Sequence, residues 1–401
     1  MELFIEVEET GSVRLNSEQL NNLKDMYNVD RIWSFSRINT AHNCMWEFWA
    51  KYIKHYKLDS SNVYTVFGTY SHDLIQDMID QKISYDQMTM KWDEIIKEWQ
   101  EDPNAYQFDN DKIKVGYISN LNHYFAHTAV PKGSNFQNEK PVMAKIGKKT
   151  DGNPKYVFVG YVDTQYVDED GNTVIIDYKT SSKSSFSKAK LPDKSRQLML
   201  YALAKHQHNG IPYEKIKCRF DMMKYVTVHF KQENGKWNTS VQERSKWVSK
   251  MEKKLATKLK KCDLSDEEVA EKVQVASLSN SLDKLPAKVQ EQFFIDNYYI
   301  ELDVTEENCN QLAKELEADC DSIVEFEQLS SEEQESYLEA NCHYDPDNYY
   351  DKKLCAYHTS EMFKERERSL NDLLEPQFST KKEDMAGIFD EDDDFTSIFE
   401  L

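Results

Sequence analysis

Two β-rich runs on either side of a short polar turn constrain the fold of this chain more than any other feature. Residues 160–167 and 173–180 are rich in valine, isoleucine, threonine and tyrosine, and the polar sequence DEDGN occupies 168–172 between them. Runs of this composition around a glycine-containing turn predict an antiparallel β-hairpin. In the second run, Val174 and Ile176 should point into a hydrophobic core.

The predicted hairpin places three charged side chains on its other face. If Val167 pairs with Thr173, Asp163 faces Asp177 at a Cβ separation of roughly 4.5–5.5 Å, which is close enough to share a divalent cation. Lys179 projects from the same face because strand side chains alternate. Two acids and a lysine beside an apolar strand are costly to bury without a partner, so we expect them to line a site. The alternative is an ordinary surface hairpin with a salt bridge.

This charged face suits phosphodiester hydrolysis. Two carboxylates can hold Mg²⁺ or Mn²⁺, and the metal lowers the pKa of its bound water, which then supplies the nucleophile. Lys179 would orient that nucleophile or offset the charge that develops on phosphorus. Asp163, Asp177 and Lys179 are therefore candidate catalytic residues.

The rest of the pattern predicts an α/β protein in which helices flank a central mixed β-sheet. Strands are expected over 142–146, 156–167, 173–180 and 215–230. Helices are expected around Leu20 to Tyr27, over 37–56 with Ser36 as N-cap, from about Gly68 to Thr128, over 195–208, over 238–261 and through the acidic sequence beyond about 265.

Composition indicates a soluble globular protein. The chain has 401 residues, of which 39% are hydrophobic and 30% are charged, enough for one large core or two smaller ones. No run approaches the roughly 18 apolar residues of a membrane-spanning helix, and the first residues lack the basic region of a signal peptide. The 7 cysteines, an odd number, argue for reduced thiols rather than disulfides. We expect an intracellular protein without a membrane partner.

The net charge of −21 would argue against a nucleic-acid partner if it were evenly spread. Residues 301–401, however, hold 30 acidic and 8 basic side chains, whereas residues 1–300 carry a net charge of +1. Basic side chains cluster over 183–194 and over 244–261. A polyanion can therefore bind the first 300 residues, although each basic cluster is also compatible with a solvated loop or helix face.

Four motifs resemble those of the RecB-like branch of the PD-(D/E)XK nuclease superfamily, and they occur in that branch's order over residues 34–201. They are Ser34-x-Ser36 followed by Cys44, Gly68 followed by His72, Gly160-Tyr161-Val162-Asp163 followed by Asp177-Tyr178-Lys179, and Gln197 followed by Tyr201. The branch includes CRISPR-associated nucleases and AddB-type helicase-nuclease subunits. The resemblance implies a restriction-endonuclease-like core.

The resemblance also implies roles for the matching residues. His72, Asp163 and Asp177 would bind the metal, which the backbone carbonyl of Tyr178 would also contact. Lys179 would be the catalytic lysine. A histidine among oxygen ligands favours Mn²⁺ more than an all-oxygen site does. The alternative for His72 is a purely structural role at the start of a helix.

Gln197 and Tyr201 lie four residues apart, so one helix face can present both to the same groove. The resemblance implies that they position Lys179 or the nucleic-acid strand beside the metal. The alternative is a surface glutamine and a core tyrosine. Glu139, just before the first core strand, resembles an acid often found there in the family.

Many RecB-like relatives also hold a four-cysteine iron–sulfur cluster. Three of its positions are matched by Cys44, Cys342 and Cys355. The fourth falls at Glu361, and such a cluster normally takes thiolates rather than the nearby histidines at 343 and 358. We therefore expect that the iron–sulfur cluster is absent and that the cysteines are free core residues.

We expect four regions along the chain. They are an N-terminal helical region over 1–135, the nuclease core over 136–262, an acidic helical region over 263–375 and an acidic, disordered tail over 376–401. The predicted function is a metal-dependent DNA exonuclease that acts on single-stranded DNA or a duplex end. The resemblance places it in recombination, repair or replication, in the cytoplasm of a bacterial or phage-infected cell.

The predicted tail interleaves phenylalanine with aspartate, a composition that suits docking into a groove on a replication or recombination protein. An unselective solubilising tail is the alternative. Two other functions stay open at this point. One is a nuclease-fold protein that binds DNA without cutting it, and the other is an acidic protein that mimics DNA.

Overall fold

The computed structural model describes residues 14–59, 61–128 and 131–369. The tail predicted over 376–401 lies outside these residues. Among the described residues, no helix combines the length and the apolar character that crossing a bilayer requires.

The described residues fall into two compact units. The first consists of residues 14–38 and 61–322, and the second of residues 39–59 and 323–369. Each unit therefore joins segments that are far apart in the sequence.

A seven-stranded mixed β-sheet forms the centre of the first unit. Its strands are β1 Ile32–Trp33, β2 Ser134–Ile146, β3 Tyr156–Val167, β4 Thr173–Lys179, β5 Ile216–Lys231, β6 Trp237–Glu243 and β7 Phe293–Glu301. The order is β1-β3-β4-β5-β6, with β2 also paired to β3 and β7 also paired to β5. The pairs β1–β3 and β4–β5 are parallel, and the other pairs are antiparallel. The predicted α/β class with a mixed sheet is confirmed.

The hairpin of β3 and β4 adopts the predicted register. Val167 pairs with Thr173, and the pairing continues as far as Thr164 opposite Ile176. Ile176 is buried in a hydrophobic core together with Val174, as the alternation predicted. The next residue of each strand is one of the two aspartates, which therefore stand one step beyond the last pair.

Polar groups of the turn fix this register. The Asp168 N–H donates to the carbonyl of Asn172, and the Asp168 carboxylate accepts the Asn172 N–H at 2.8 Å. Gly171 has φ of +75°, a left-handed conformation that glycine adopts without steric cost. The hairpin is thus specified locally, by the turn sequence itself.

Helices cover both faces of the sheet and make up most of the second unit. In chain order they are α1 Ser17–Tyr27, α2 Phe35–Asn43, α3 Met45–Phe48, α4 Val63–Ile79, α5 Gln87–Glu101, α6 Asp111–His127, α7 Leu191–Asn209, α8 Trp247–Lys250, α9 Glu252–Leu259, α10 Asp266–Ser279, α11 Ala287–Gln290, α12 Glu306–Gln328, α13 Ser331–Asn341 and α14 Tyr349–Lys353. A π-helix, Trp49–Ile53, follows α3, and residues 361–369 are also helical.

The two faces of the sheet carry different partners. Helices α4, α5 and α6 bury an aromatic core, which includes Phe67 and Trp92, against Ile176 of β4. Helix α7 lies on the opposite face, where the Cys218 thiol of β5 contacts the carbonyl of Leu198. Because Asp177 and Lys179 alternate with Ile176 and Tyr178, which belong to the aromatic core, they lie on the α7 face.

Two helix assignments from the sequence are wrong, because these residues form strands. Residues 237–243, predicted as the start of a helix, form β6, because Asn234 and Gly235, which has φ of +80°, turn the chain back onto β5. Residues 293–301, predicted as helical, form β7, an aromatic run that pairs with β5. Strand β2 also begins at Ser134, before the predicted start at 142.

The helix predicted over 37–56 is wrong as a single element. Helix α2 ends at Asn43, and Cys44 is extended, with φ of −159° and ψ of 104°. The Cys44 sulfur accepts the Glu47 N–H at 3.3 Å and so caps α3. Ser36 is not the N-cap of α2, since the helix begins at Phe35 and the hydroxyl of Ser34 accepts the Arg37 N–H at 3.3 Å.

Candidate active site

Three side chains from two different regions of the sequence meet on the first unit. His72 comes from α4, Asp163 from β3 and Asp177 from β4. One ligand atom from each lies within 4.8 Å of the ligand atoms of the other two. The structure therefore brings together the metal ligands that the family resemblance implied.

The sheet topology explains why the two aspartates lie at the point where β3 and β4 separate. Strand β4 pairs with β3 only as far as Ile176, whereas β3 also pairs with β1 through Val157 and Phe158. Asp163 and Asp177 thus lie where the two strands separate. At this position their carboxylates can converge without being covered by a continuous ladder.

The Asp163 carboxyl carries the strongest electrostatic perturbation of the site. Burial raises its pKa, the negative charge of Asp177 raises it further, and His72 and Lys179 offset part of the rise. The result is a pKa of about 7. Two carboxylates that repel each other in a partly buried place are stabilised by a bound cation, so this geometry fits a divalent metal.

Lys179 is held next to the aspartates. Its Nζ lies 2.7 Å from Oδ1 of Asp177 and 5.8 Å from the ring centroid of Phe220. Burial alone would lower the pKa of Lys179, but Asp177 and Asp163 raise it above its ordinary value. The lysine therefore stays charged, and 31% of its side chain is exposed.

His72 links the helix to the end of β4. Its Nε2 donates to the backbone carbonyl of Tyr178 at 2.8 Å, and its Nδ1 lies 3.4 Å from Oδ2 of Asp163. Helix α4 is fixed by Asn62, whose side chain accepts the N–H groups of Tyr64 and Thr65. The imidazole thus contacts both the carbonyl and one of the carboxylates that were expected to share the metal.

Gln197 and Tyr201 also meet, as their spacing on α7 allows. The Gln197 amide donates to the Tyr201 hydroxyl at 2.7 Å. The negative charges of Asp163 and Asp177 are among the causes, after burial, that raise the pKa of Tyr201. The tyrosine ring lies directly against Gly160, where an added Cβ would come within 2.5 Å of a ring carbon. Glycine at 160 is therefore what lets α7 bring Tyr201 to the site.

Glu139, for which the sequence gives only a slight signal, lies beside the candidate site. The pairs Asn138–Thr164 and Lys140–Val162 flank it, so the register sets Glu139 opposite Asp163. Its φ of +47° is left-handed, and its carboxylate lies 3.7 Å from Arg14. The charge of Glu139 contributes to the raised pKa of Asp163.

The two basic clusters differ in their surroundings. The loop after Lys179 is anchored by buried Phe186, whose ring lies 4.8 Å from that of Phe220, while Lys188, Lys190 and Lys194 are exposed. The cluster over 244–261 is instead largely engaged within the protein. Arg244 is buried against Asn297, and Lys258 and Lys261 pair with Glu233.

No four-thiolate group of the kind that holds an iron–sulfur cluster is found among residues 14–59, 61–128 and 131–369. In the second unit, Cys44, Cys355 and His358 converge within 4.8 Å. Among the described residues Cys342 does not join this group, and Glu361 is exposed and paired with Lys364. Two thiolates are too few for the cluster that some relatives carry.

A protein-family model matches most of the chain. A family model described as the PD-(D/E)XK nuclease superfamily matches residues 32–357. No curated protein matches the chain.

Proposed function

The chain belongs to the PD-(D/E)XK nuclease superfamily, and from this premise we propose that it is a metal-dependent deoxyribonuclease. The observation that carries the proposal is the meeting of His72, Asp163 and Asp177 beside Lys179. The α/β fold with its mixed sheet is consistent with the restriction-endonuclease-like architecture of this superfamily. PD-(D/E)XK enzymes usually use divalent ions such as Mg²⁺ or Mn²⁺.

Each residue has a distinct part in the proposed reaction. Asp163 and Asp177 would hold the ion with His72 and the Tyr178 carbonyl, and a bound ion would supply a water of lowered pKa and a positive charge for the phosphate. Lys179, which stays charged, places an ammonium where negative charge develops on phosphorus. Gln197 and Tyr201 support the groove wall next to the aspartates.

The charge pattern supports DNA as the substrate. The exposed lysines at 188 and 190 belong to the loop that begins directly after β4, and exposed Lys194 lies in the first turn of α7, so all three can contact phosphates next to the proposed reaction centre. The rest of residues 1–300 is nearly neutral. The strongly acidic sequence is confined to residues 301–401, so the net charge of −21 does not argue against a polyanionic substrate for the nuclease core.

We further propose that the enzyme is an exonuclease of the RecB-like branch, acting in recombination, repair or replication. The four ordered motifs over 34–201 support this assignment. Its substrate would be single-stranded DNA or a duplex end, and the acidic tail would dock a replication or recombination protein.

Incubation with end-labelled DNA tests the proposal. Linear single-stranded, linear duplex and circular DNA should be compared in Mg²⁺, Mn²⁺ and EDTA, with Lys179→Ala as the inactive control. We expect degradation of a linear substrate only with a metal, and none of a circle. Cleavage of the circle would make the enzyme an endonuclease. Tight DNA binding without cleavage in either metal would favour a non-catalytic binding protein instead.

A further inference from the structure

We propose that Cys44, Cys355 and His358 bind a single zinc ion. The ion would take the place that relatives with four cysteines give to an iron–sulfur cluster. This inference concerns the second unit alone and does not depend on the nuclease proposal.

The donor atoms converge in a buried place. The sulfurs of Cys44 and Cys355 lie 3.1 Å apart, although these residues are 311 positions apart in the sequence. All three donor atoms lie within 4.8 Å of one another, and all three residues are buried. Two thiols and an imidazole form the soft donor set that zinc prefers in proteins.

Backbone N–H groups point at both sulfurs. The Glu47 N–H points to the sulfur of Cys44 at 3.3 Å, and the His358 N–H points to that of Cys355 at 3.5 Å. In each case the residue that supplies the N–H follows the cysteine by three positions. Hydrogen bonds from N–H groups stabilise the negative charge that a sulfur carries when it binds a metal.

The imidazole of His358 provides an independent indication. Only 4% of its side chain is exposed, yet neither ring nitrogen makes a well-formed hydrogen bond with a described residue. Its Nδ1 lies 3.3 Å from the buried carboxylate of Asp351. A carboxylate behind one nitrogen orients a metal-bound histidine and leaves Nε2 for the ion. An unpartnered buried nitrogen costs free energy that a metal bond would recover.

The same donor set argues against an iron–sulfur cluster and against Mg²⁺ or Ca²⁺. An iron–sulfur cluster needs more thiolates than the two that converge here. Mg²⁺ and Ca²⁺ require oxygen ligands, and the described group offers sulfur and nitrogen. A tetrahedral zinc ion needs one further ligand. Water is the expected fourth ligand, and a cavity of about 550 Å³ is lined in part by His358 together with Tyr344 and Phe363.

The ion would have a structural role within the second unit. It would tie the segment of residues 39–59 to residues 323–369, which otherwise meet through contacts such as the stacking of Trp46 on Tyr357 at 5.2 Å. A metal that bridges two distant segments binds the folded unit and not the unfolded chain, so its binding free energy adds to stability.

Metal analysis of the purified full-length chain tests the proposal. Elemental analysis should find about one zinc ion per chain, and neither iron nor acid-labile sulfide. Cys355→Ser and His358→Ala should lose the zinc. Cys342→Ser is the matched control, since Cys342 lies outside the group, and it should keep the zinc. His358→Cys should restore binding, which separates loss of a ligand from failure to fold.

Two further measurements sharpen the test. Cobalt substituted for zinc should give the absorption bands of a tetrahedral thiolate site, and these should vanish in Cys44→Ser. Asp351→Asn should weaken zinc binding about tenfold, but should have no such effect in the His358→Cys background, where no imidazole needs orienting.

Several results would overturn the proposal. They are a metal-free protein with both thiols unaltered, a disulfide between Cys44 and Cys355, iron with sulfide, or zinc that persists in His358→Ala. Loss of zinc from Cys342→Ser would refute the three-residue assignment.

Discussion

Within the part of the chain that the structure describes, two candidate metal-binding clusters each contain a histidine, and they differ in almost every other respect. In the first unit, His72 meets two carboxylates, and 35% of its side chain is exposed. In the second unit, His358 meets two thiols, and 4% of its side chain is exposed. The first cluster has a lysine beside it, whereas the second has backbone N–H groups directed at its sulfurs.

This difference indicates that the first cluster suits catalysis and the second suits a structural metal ion. Oxygen ligands and partial exposure leave room for substrate and for an exchangeable ion. Sulfur ligands in a buried place bind an ion tightly and keep substrates out. The first cluster also keeps its like charges close, which destabilises the metal-free protein. The second has no such repulsion between carboxylates.

The largest effect is expected from Asp177→Asn. Loss of this carboxylate removes a metal ligand and the partner of Lys179, so DNA hydrolysis should fall about a thousandfold. Asp170→Asn, in the exposed turn of the same hairpin, is the matched control and should retain activity. Initial rates on end-labelled DNA in Mn²⁺ measure both. If the two variants were equally active, hydrolysis would not require Asp177, and the catalytic role of the first cluster would be contradicted.

A pair of glycine variants tests how α7 is positioned. In Gly160→Ala the new Cβ would lie 2.5 Å from the Tyr201 ring, so the free energy of unfolding should fall by about 2 kcal/mol and activity should drop with it. In Gly68→Ala the atom nearest to the new Cβ is 3.9 Å away. The free energy of unfolding should therefore rise by roughly 0.5–1 kcal/mol, because alanine favours the helical backbone of α4.

Urea unfolding of both glycine variants in the absence of metal gives these values. A tolerated alanine at 160 would show that Tyr201 does not depend on close approach to β3. A destabilising alanine at 68 would show that α4 packs more tightly on β4 than the observed distance indicates.

The crowded charges at Asp163 predict a pH dependence in the metal-free protein. Its pKa rises from 3.8 to about 7 on folding, so the folded state binds the proton more tightly and stability falls as the pH rises from about 4 to 7. Asp163→Asn should therefore be more stable than the wild type by roughly 4 kcal/mol at pH 8, and the advantage should disappear toward pH 4. Urea unfolding in EDTA measures it. An Asn variant that is less stable at pH 8 would contradict the account.

The smallest effect is expected from Tyr201→Phe. The change removes the hydroxyl that accepts from Gln197 at 2.7 Å, and stability should fall by about 1 kcal/mol. A double-mutant cycle with Gln197→Ala should show coupling, because each change removes the same hydrogen bond. Additive effects would mean that the two side chains act separately.

The parts of the fold that the sequence predicts are those specified by neighbouring residues. Turn residues 168–172 and the alternation in β4 are local, so the register of the hairpin and the shared face of Asp177 and Lys179 could be predicted. Strand β7 depends instead on a distant partner, β5, with an irregular register between Asp221 and Val226. Local periodicity carries no signal for such pairing.

The candidate site, too, depends on contacts between distant segments that local sequence does not predict. The place of His72 followed from a family motif, because nothing near it in sequence points to β4. The contact of Tyr201 with Gly160 depends on how closely α7 approaches the sheet, which no spacing rule gives. The break at Cys44 was missed because its cause is the capping role of a cysteine sulfur, and a helical pattern continues on both sides.

A titration with Mn²⁺ tests the central claim most directly. Free Mn²⁺ measured by electron paramagnetic resonance should show that the wild type, Asp170→Asn and Lys179→Ala all bind the ion, while the double variant Asp163→Asn/Asp177→Asn binds at least about a hundredfold more weakly. Lys179→Ala should bind Mn²⁺ and yet fail to hydrolyse DNA. Undiminished Mn²⁺ binding by the double variant would contradict the assignment of these aspartates as the metal site.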